Sequence, residues 1–168
     1  MELTMTHDGT ARVTLPTDTE ILITREFDAP RNLVFRAWTE PELIRRWWSG
    51  RRGVVTSAEV DLRVGGAWRY AMRAHSGAEV AFHGEFREVV PGERIVSTEV
   101  FEGAPDGEAL NTITFGDLGE RSVLELLMRL GSREERDMVL ATGMEDGMQE
   151  GMDLLEQVAV TLDGSASA

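Results

Sequence analysis

The chain has 168 residues, of which 42% are apolar and 28% charged, a mixture typical of one globular domain with a hydrophobic core. It contains no cysteine and no lysine, which excludes a disulfide scaffold, a thiolate metal site, a cysteine nucleophile and a lysine Schiff base. A net charge of −13 argues against a nucleic-acid partner. No apolar run approaches the roughly 20 residues of a membrane span and no basic-then-apolar leader is present, so we expect no membrane association and a cytoplasmic location.

The first predicted elements follow a polar N-terminal arm, residues 1–18, which we expect to be loose or to pair at a sheet edge. The β-branched segment Glu20–Phe27 predicts a strand. Two short helices should come next. Asp28 is placed to cap the first of them, and Thr39 and Glu42 have the spacing of a capping box for the second.

After residue 54 the apolar residues recur with a period of two, which indicates β-structure. The six predicted strands span 54–64, 67–73, 80–90, 94–101, 110–115 and 122–130. Short glycine-containing turns join them, so the strands should form an antiparallel meander. Ser132 and Glu135 form a capping box for a final helix of more than about 20 residues, which should end near Leu162 before a frayed tail, 164–168.

This order of elements predicts an α+β fold with residues 19–163 as a single domain. One strand, two short helices, six strands and one long helix give a seven-stranded curved antiparallel sheet wrapped around the C-terminal helix. Because a curved sheet encloses more volume than one helix fills, we expect a cavity between the sheet and the helix.

Several segments occur in an order typical of one family. They are 23–30, 34–41, Trp47-Trp48, 61–66, Trp68, Gly84-Glu85, 97–99 and 142–147. On these segments the chain resembles the activator of heat-shock-protein-90 ATPase homologues (C-terminal-domain type), a branch of the START and pollen-allergen-like helix-grip superfamily (SRPBCC). The resemblance covers about residues 12–160. In many relatives the last helix carries a Trp where this chain has Met148.

The resemblance implies a START-like helix-grip fold and a cytosolic protein that binds a small hydrophobic ligand in the cavity between sheet and helix. As an alternative it implies a chaperone-accessory interaction domain of the stress response. A third alternative is a cyclase- or hydrolase-like enzyme that uses the same cavity.

Strand alternation and the last helix predict which side chains line that cavity. The predicted ligand-binding residues are Trp47, Trp48, Trp68, Tyr70, Phe82, Phe101, Asn111, Phe115, Met144, Gly147, Met148 and Gly151. Their surface is aromatic, aliphatic and rich in Met, and its polar groups are Tyr70 and Asn111. The same pattern is compatible with plain packing of sheet against helix. Of the adjacent Trp47 and Trp48, we expect one in the core and the other at the cavity rim.

The last helix has a glycine stripe, Gly143, Gly147 and Gly151, at intervals of four residues. Each glycine costs a helix about 1 kcal/mol relative to alanine, so the stripe needs a reason. It is compatible with a cavity wall, a close packing contact or a kink. The acids of this helix, among them Asp153, indicate a solubilising surface or an interface.

Glu99 is the one acid whose direction the pattern leaves open. Facing inward near Tyr70, it would have a raised pKa and could serve as a general acid or base; facing outward, it would be solvated or paired with Arg. The sequence predicts no other catalytic residue, no metal site and no cofactor. The expected partner is a small hydrophobic or aromatic molecule, with a chaperone or a second copy of the chain (a homodimer) as alternatives.

Overall fold

The computed structural model describes residues 10–162, which form one eight-stranded antiparallel sheet and four helices. The strands are β1 (Arg12–Thr14), β2 (Glu20–Phe27), β3 (Gly53–Val60), β4 (Ala67–Ala74), β5 (Glu79–Val90), β6 (Arg94–Phe101), β7 (Ala109–Leu118) and β8 (Arg121–Arg129). The helices are α1 (Arg31–Thr39), α2 (Pro41–Ile44), α3 (Arg133–Ala141) and α4 (Met144–Thr161). The strand order across the sheet is β1-β2-β8-β7-β6-β5-β4-β3.

The α+β class, the curved antiparallel sheet and the C-terminal helix are confirmed, but the predicted number of seven strands is wrong. The eighth strand is β1, which pairs with β2 in the register Val13↔Ile23. The residue before β1, Ala11, is held by the side-chain amide of Gln149 in α4. This amide donates to the Ala11 carbonyl at 2.7 Å and accepts from the Ala11 N–H at 3.0 Å. Residues 1–9 of the predicted arm and the predicted tail, 164–168, lie outside the described residues.

The prediction of one unbroken final helix is also wrong, because the chain forms α3 and α4 in its place. The break is at Gly143, whose φ of 81° is left-handed. A glycine in this conformation commonly ends a helix, because residues with a Cβ adopt it only with strain. Gly143 therefore belongs to the end of α3, which is a different role from that of the other two stripe glycines.

The predicted caps of the first two helices are wrong. Pro30 precedes α1 without a side-chain cap bond, and the Asp28 carboxylate accepts from Arg121 Nε at 3.2 Å. Thr39 is still helical, and its hydroxyl donates to the Phe35 carbonyl at 2.7 Å. By contrast, the Ser132 side chain accepts from the Glu135 N–H at 3.1 Å and caps α3 as predicted.

The core lies between α4, α1 and the concave face of one half of the sheet. Along β2, β8 and β7 the inward positions alternate with outward ones and are almost completely buried. They include Ile21, Ile23, Phe27, Leu124, Leu126, Ile113 and Phe115. From α4 they meet Met152, Leu155 and Ala159, which are at most 1% exposed. This apolar contact fixes the C-terminal half of α4 on the sheet.

A buried ion cluster strengthens the same contact. Arg25 of β2 is 2% exposed, and its guanidinium donates to Asp153 Oδ1 at 2.7 Å and to Glu156 Oε1 at 3.1 Å. Both acids belong to α4. Asp153 is therefore an ion-pair partner of the sheet as well as a surface acid, which its place in an acidic helix did not indicate.

Candidate functional site

The concave face of the sheet is buried at one end and open at the other. On β4 and β5 the inward side chains Tyr70, Met72, Val80 and Phe82 are only half-buried. Phe101 at the end of β6 is 42% exposed. The half of the sheet formed by β3 to β6 therefore leaves apolar surface accessible, and this open end is the candidate site.

Five aromatic side chains meet there and are called the aromatic cluster below. They are Trp48, Trp68, Tyr70, Phe82 and Phe101. Trp48 approaches Tyr70 and Phe82 edge-on, with ring centroids 5.6 and 5.8 Å apart. The Phe82 and Phe101 centroids are 5.1 Å apart, and those of Trp68 and Tyr70 are 4.7 Å apart. These separations are those of favourable aromatic pairs, so the rings support one another while part of their surface stays open.

The sheet register brings most of the cluster together. Tyr70 pairs with Phe82 across β4 and β5, and Phe82 pairs with Phe101 across β5 and β6. Trp48 reaches them from the turns that follow α2, a four-residue helix started by Pro41. Three strands and one helix end thus contribute to a single patch.

The Trp68 side chain packs over Gly84, which has no side chain to block it. Its indole Nε1 donates to the Thr98 carbonyl at 3.1 Å, across the position of Gly84. A Cβ at Gly84 would collide with the Thr98 carbonyl oxygen and lie 2.6 Å from the Trp68 Nε1. Only glycine permits this close approach of the indole to the neighbouring strand.

Glu99 and Asn111 form a polar pair beside the aromatic cluster. Asn111 Nδ2 donates to Glu99 Oε1 at 2.8 Å. Burial raises the pKa of Glu99 above its ordinary value, although the hydrogen bond from Asn111 acts in the opposite direction. Burial, with a smaller contribution from the charge of Glu99, also raises the pKa of Tyr70. Both groups therefore favour their neutral forms more strongly than they would in water.

Replacing Glu99 by glutamine is expected to increase stability at pH 7 and to leave it unchanged near pH 4. A carboxyl whose pKa is higher in the folded state than in the unfolded state contributes full stability below its ordinary value of 4.5. That contribution falls as the pH rises through the folded pKa, because ionisation then opposes folding. Urea denaturation of wild type and Glu99→Gln at both pH values measures the difference.

The exposed Glu125 provides a matched control, because Glu125→Gln removes the same charge from the outer face of β8. It should change the free energy of unfolding by less than about 0.5 kcal/mol at either pH. A constant gap between wild type and Glu99→Gln across the pH range would contradict the raised pKa.

The structure places other predicted site residues in a second aromatic group, inside the core. Trp47 is 7% exposed and its Nε1 donates to the Ala37 carbonyl at 2.8 Å. Trp38 is 5.1 Å from Trp47 and 6.4 Å from Phe115 by ring centroids, and Phe35 is 5.2 Å from Phe115. Trp47 and Phe115 therefore lie apart from Trp48, which belongs to the aromatic cluster.

The predicted residues of α4 have mixed surroundings. Met144 and Met148 are half-buried and pack against the core. A Cβ at Gly151 would lie 3.6 Å from the Trp47 carbonyl oxygen, in ordinary van der Waals contact. A Cβ at Gly147 would have only the Arg52 guanidinium nearby, at 3.9 Å from Cζ. Gly151 therefore lies against Trp47, whereas Gly147 lies near Arg52.

The roles of Gly84 and Ala109 escaped the sequence prediction. Ala109 is the register partner of Glu99 on β7, and Gly84 lies opposite Glu99 on β5, between the pairs His83↔Val100 and Phe86↔Ser97. Both neighbours of Glu99 across the sheet are thus small. The sequence feature that could have indicated this is the single glycine at an inward position of β5, between Phe82 and Phe86.

Two surface depressions lie away from the aromatic cluster. One, of about 360 Å³, is on the outer face of the sheet and is lined by Pro16, Glu20, Leu22, Thr112, Thr114, Glu125 and Leu127. The other, of about 210 Å³, lies between Arg46 and the outer side of α4. None of the predicted site residues lines either of them. Within residues 10–162 no helix is long and apolar enough to cross a membrane.

A curved antiparallel sheet closed on a C-terminal helix, with two short helices after a long strand, defines the class of helix-grip domains. The sequence profile of the family described as Activator of Hsp90 ATPase homolog 1-like protein matches residues 28–159. The chain belongs to this family, as its motifs predicted. A comparison with functionally curated proteins finds no match.

Solved structures share the fold. A protein from Rhodobacter sphaeroides is 22% identical, with a TM-score of 0.84 over 90% of this chain and 99% of the other. One from Chromobacterium violaceum is 29% identical, with a TM-score of 0.75 over 85% and 98%. An AHSA1-like protein from Aeromonas hydrophila is 20% identical, with a TM-score of 0.61 over 83% and 92%.

Proposed function

We propose that this chain binds a small, predominantly apolar or aromatic molecule at the open end of the concave face, against the aromatic cluster. The observation that supports this most is that Trp48 contacts both Tyr70 and Phe82 while all three side chains keep part of their surface exposed. Aromatic rings of this kind offer a large apolar contact area with little side-chain freedom to lose on binding. A cytoplasmic location stays a prediction.

The burial pattern supports binding at this end of the concave face and not at the end around Phe115. Around Phe115 the concave face is filled by α1 and α4, and Phe115 itself is 2% exposed. Around Phe82 the described part of the chain covers the rings only partly, and Phe101 presents 42% of its surface. A ligand on the aromatic cluster would remove this apolar surface from water, at roughly 25 cal/mol per Å² of area buried.

Trp48→Ala is expected to weaken binding of the neutral fluorophore Nile red about tenfold, which corresponds to ~1.4 kcal/mol. Trp48 touches both Tyr70 and Phe82, so its loss removes one wall of the aromatic cluster. Because Trp48 is only half-buried, the variant should keep its fold. Fluorescence titration and thermal melting on the same samples measure both quantities.

Leu118→Ala is the control, since Leu118 is an exposed apolar side chain at the end of β7. It should leave Nile red affinity unchanged. Equal affinities of Trp48→Ala and wild type would place any binding outside the aromatic cluster and would contradict the proposal.

The family membership supports a second candidate, a chaperone-accessory domain, because the family description refers to activation of the Hsp90 ATPase. Purified Hsp90 mixed with this chain would then hydrolyse ATP faster than Hsp90 alone. A rate that does not change, together with Nile red binding that depends on Trp48, would favour the ligand-binding function.

A further inference from the structure

We infer that the ligand carries a cationic N–H group, such as a protonated amine, which Glu99 and Asn111 bind while the aromatic cluster holds the apolar body. This inference rests on the proposed function and names the chemical class of its ligand. Three features support it: the acceptor atoms at the site, the aromatic rings beside them and the charge of the protein.

The carboxyl group of Glu99 has one described partner. Its Oε1 accepts from Asn111, while Oε2 has no hydrogen bond, and no Arg or His within residues 10–162 forms an ion pair with this group. A carboxylate offers about four lone-pair sites, so Glu99 can accept further hydrogen bonds from a ligand. The neutral amide of Asn111, its described partner, supplies no positive charge.

Asn111 adds a second acceptor. The residue is 6% exposed, and its Oδ1 is buried without a hydrogen-bond partner. A buried polar atom in this condition destabilises the folded protein unless a ligand or water satisfies it. Since both unused groups accept hydrogen bonds, a ligand that satisfies them must donate.

The surroundings favour a positive charge. Across the sheet Glu99 faces Ala109 and Gly84, over which the Trp68 indole packs, and neither residue carries a charge. The rings of Trp68 and Tyr70 are close by, and aromatic faces attract cations. The net charge of −13 also raises the local concentration of cations.

The basic segment that contains Trp48 is the competing feature. Arg45, Arg46, Arg51 and Arg52 flank the tryptophans in sequence, and Arg52 Nη2 lies 3.6 Å from Glu150 Oε2 at α4. These guanidinium groups would favour an anionic ligand. A comparison of ligand charges on one apolar body therefore decides between Glu99 and the arginines.

Three probes with the same ring system make this comparison: 1-naphthylmethylamine, 1-naphthylmethanol and 1-naphthoate, titrated by isothermal calorimetry at pH 7. The amine should bind about tenfold more tightly than the alcohol, and the carboxylate more weakly than both. In Glu99→Gln the amine should lose this advantage, while the alcohol keeps its affinity within about twofold. Glu125→Gln, which removes the same charge on the outer face, should preserve the preference for the amine.

Equal binding of all three probes, or a preference for naphthoate, would overturn the inference and leave the proposed function intact. Loss of the amine preference in Glu125→Gln would assign it to overall charge, and that too would overturn the inference. If neither the naphthalene probes nor Nile red bind, the proposed function itself fails, and the inference fails with it.

Discussion

Replacing Asp153 and Glu156 together by alanine is expected to lower the free energy of unfolding by about 3–5 kcal/mol. Both carboxylates accept hydrogen bonds from Arg25, whose side chain is 1% exposed. Without them the guanidinium remains buried with no opposite charge, and a buried unpaired ion is among the most costly defects in a protein. Urea denaturation at pH 7 measures the loss.

Adding Arg25→Met to this double variant should recover most of the lost stability. Methionine removes the unpaired charge and fills much of the volume with apolar atoms that suit the surrounding core. The solvent-facing acids Glu145 and Asp146, in the first turn of α4, provide the control. Their joint replacement by alanine should cost less than about 1 kcal/mol, the size of a helix-dipole effect. A triple variant less stable than the double one would show that the charge of Arg25 is not the cause.

Gly84→Ala is expected to destabilise the protein by about 3 kcal/mol, at the upper end of overpacking effects. The added methyl group would collide with the backbone of Thr98, which cannot rotate away as a flexible side chain can. It would also displace the Trp68 indole from its hydrogen bond to the Thr98 carbonyl. The chemical shift of the Trp68 indole N–H reports the second effect and urea denaturation the first.

Gly107→Ala is the matched control for Gly84→Ala. A Cβ at Gly107 would have no neighbour closer than 3.8 Å, and its φ is not in the left-handed region. This variant should be neutral or gain a few tenths of a kcal/mol, since alanine restricts the unfolded chain. Equal stability of the two variants would mean that β5 and β6 can separate at Gly84 at no cost.

The sequence predicts the buried half of the sheet well, because most inward positions of β2 and β8 hold apolar side chains that recur at every second residue. It predicts edge pairing only as one alternative for residues 1–18 and does not identify β1 itself, because three residues with a single apolar side chain carry no periodic signal. That strand forms because the edge of β2 and the side-chain amide of Gln149, which is distant in sequence, supply its partners.

The helix break illustrates a different limit. Glycines at 143, 147 and 151 share one helical spacing, so the pattern suggests one common cause. The structure separates them: Gly143 ends α3 in a left-handed conformation, whereas the other two lie within α4. Spacing alone does not distinguish a helix end from a helix face when no proline or polar cap marks the boundary.

For the candidate site, alternation predicts that Tyr70, Phe82 and Asn111 share one face of the sheet. It does not predict which end of that face stays uncovered, because this depends on where α4 lies. The position of α4 is determined by Arg25 and by the break at Gly143. The first acts through ion pairs distant in sequence and the second through a single backbone angle, and neither leaves a periodic pattern. Trp47 and Trp48 also lie beyond a four-residue helix, too short for its period to assign them.

The unequal attachment of the two halves of α4 has an evolutionary consequence. The C-terminal half holds the ion cluster and the fully buried Met152 and Leu155, so most substitutions there threaten folding. The N-terminal half has the half-buried Met144 and Met148 and the sparsely contacted Gly147. Apart from Gln149, which holds the Ala11 backbone, the first two turns of α4 can therefore change in the course of evolution with less damage to the fold than the last three.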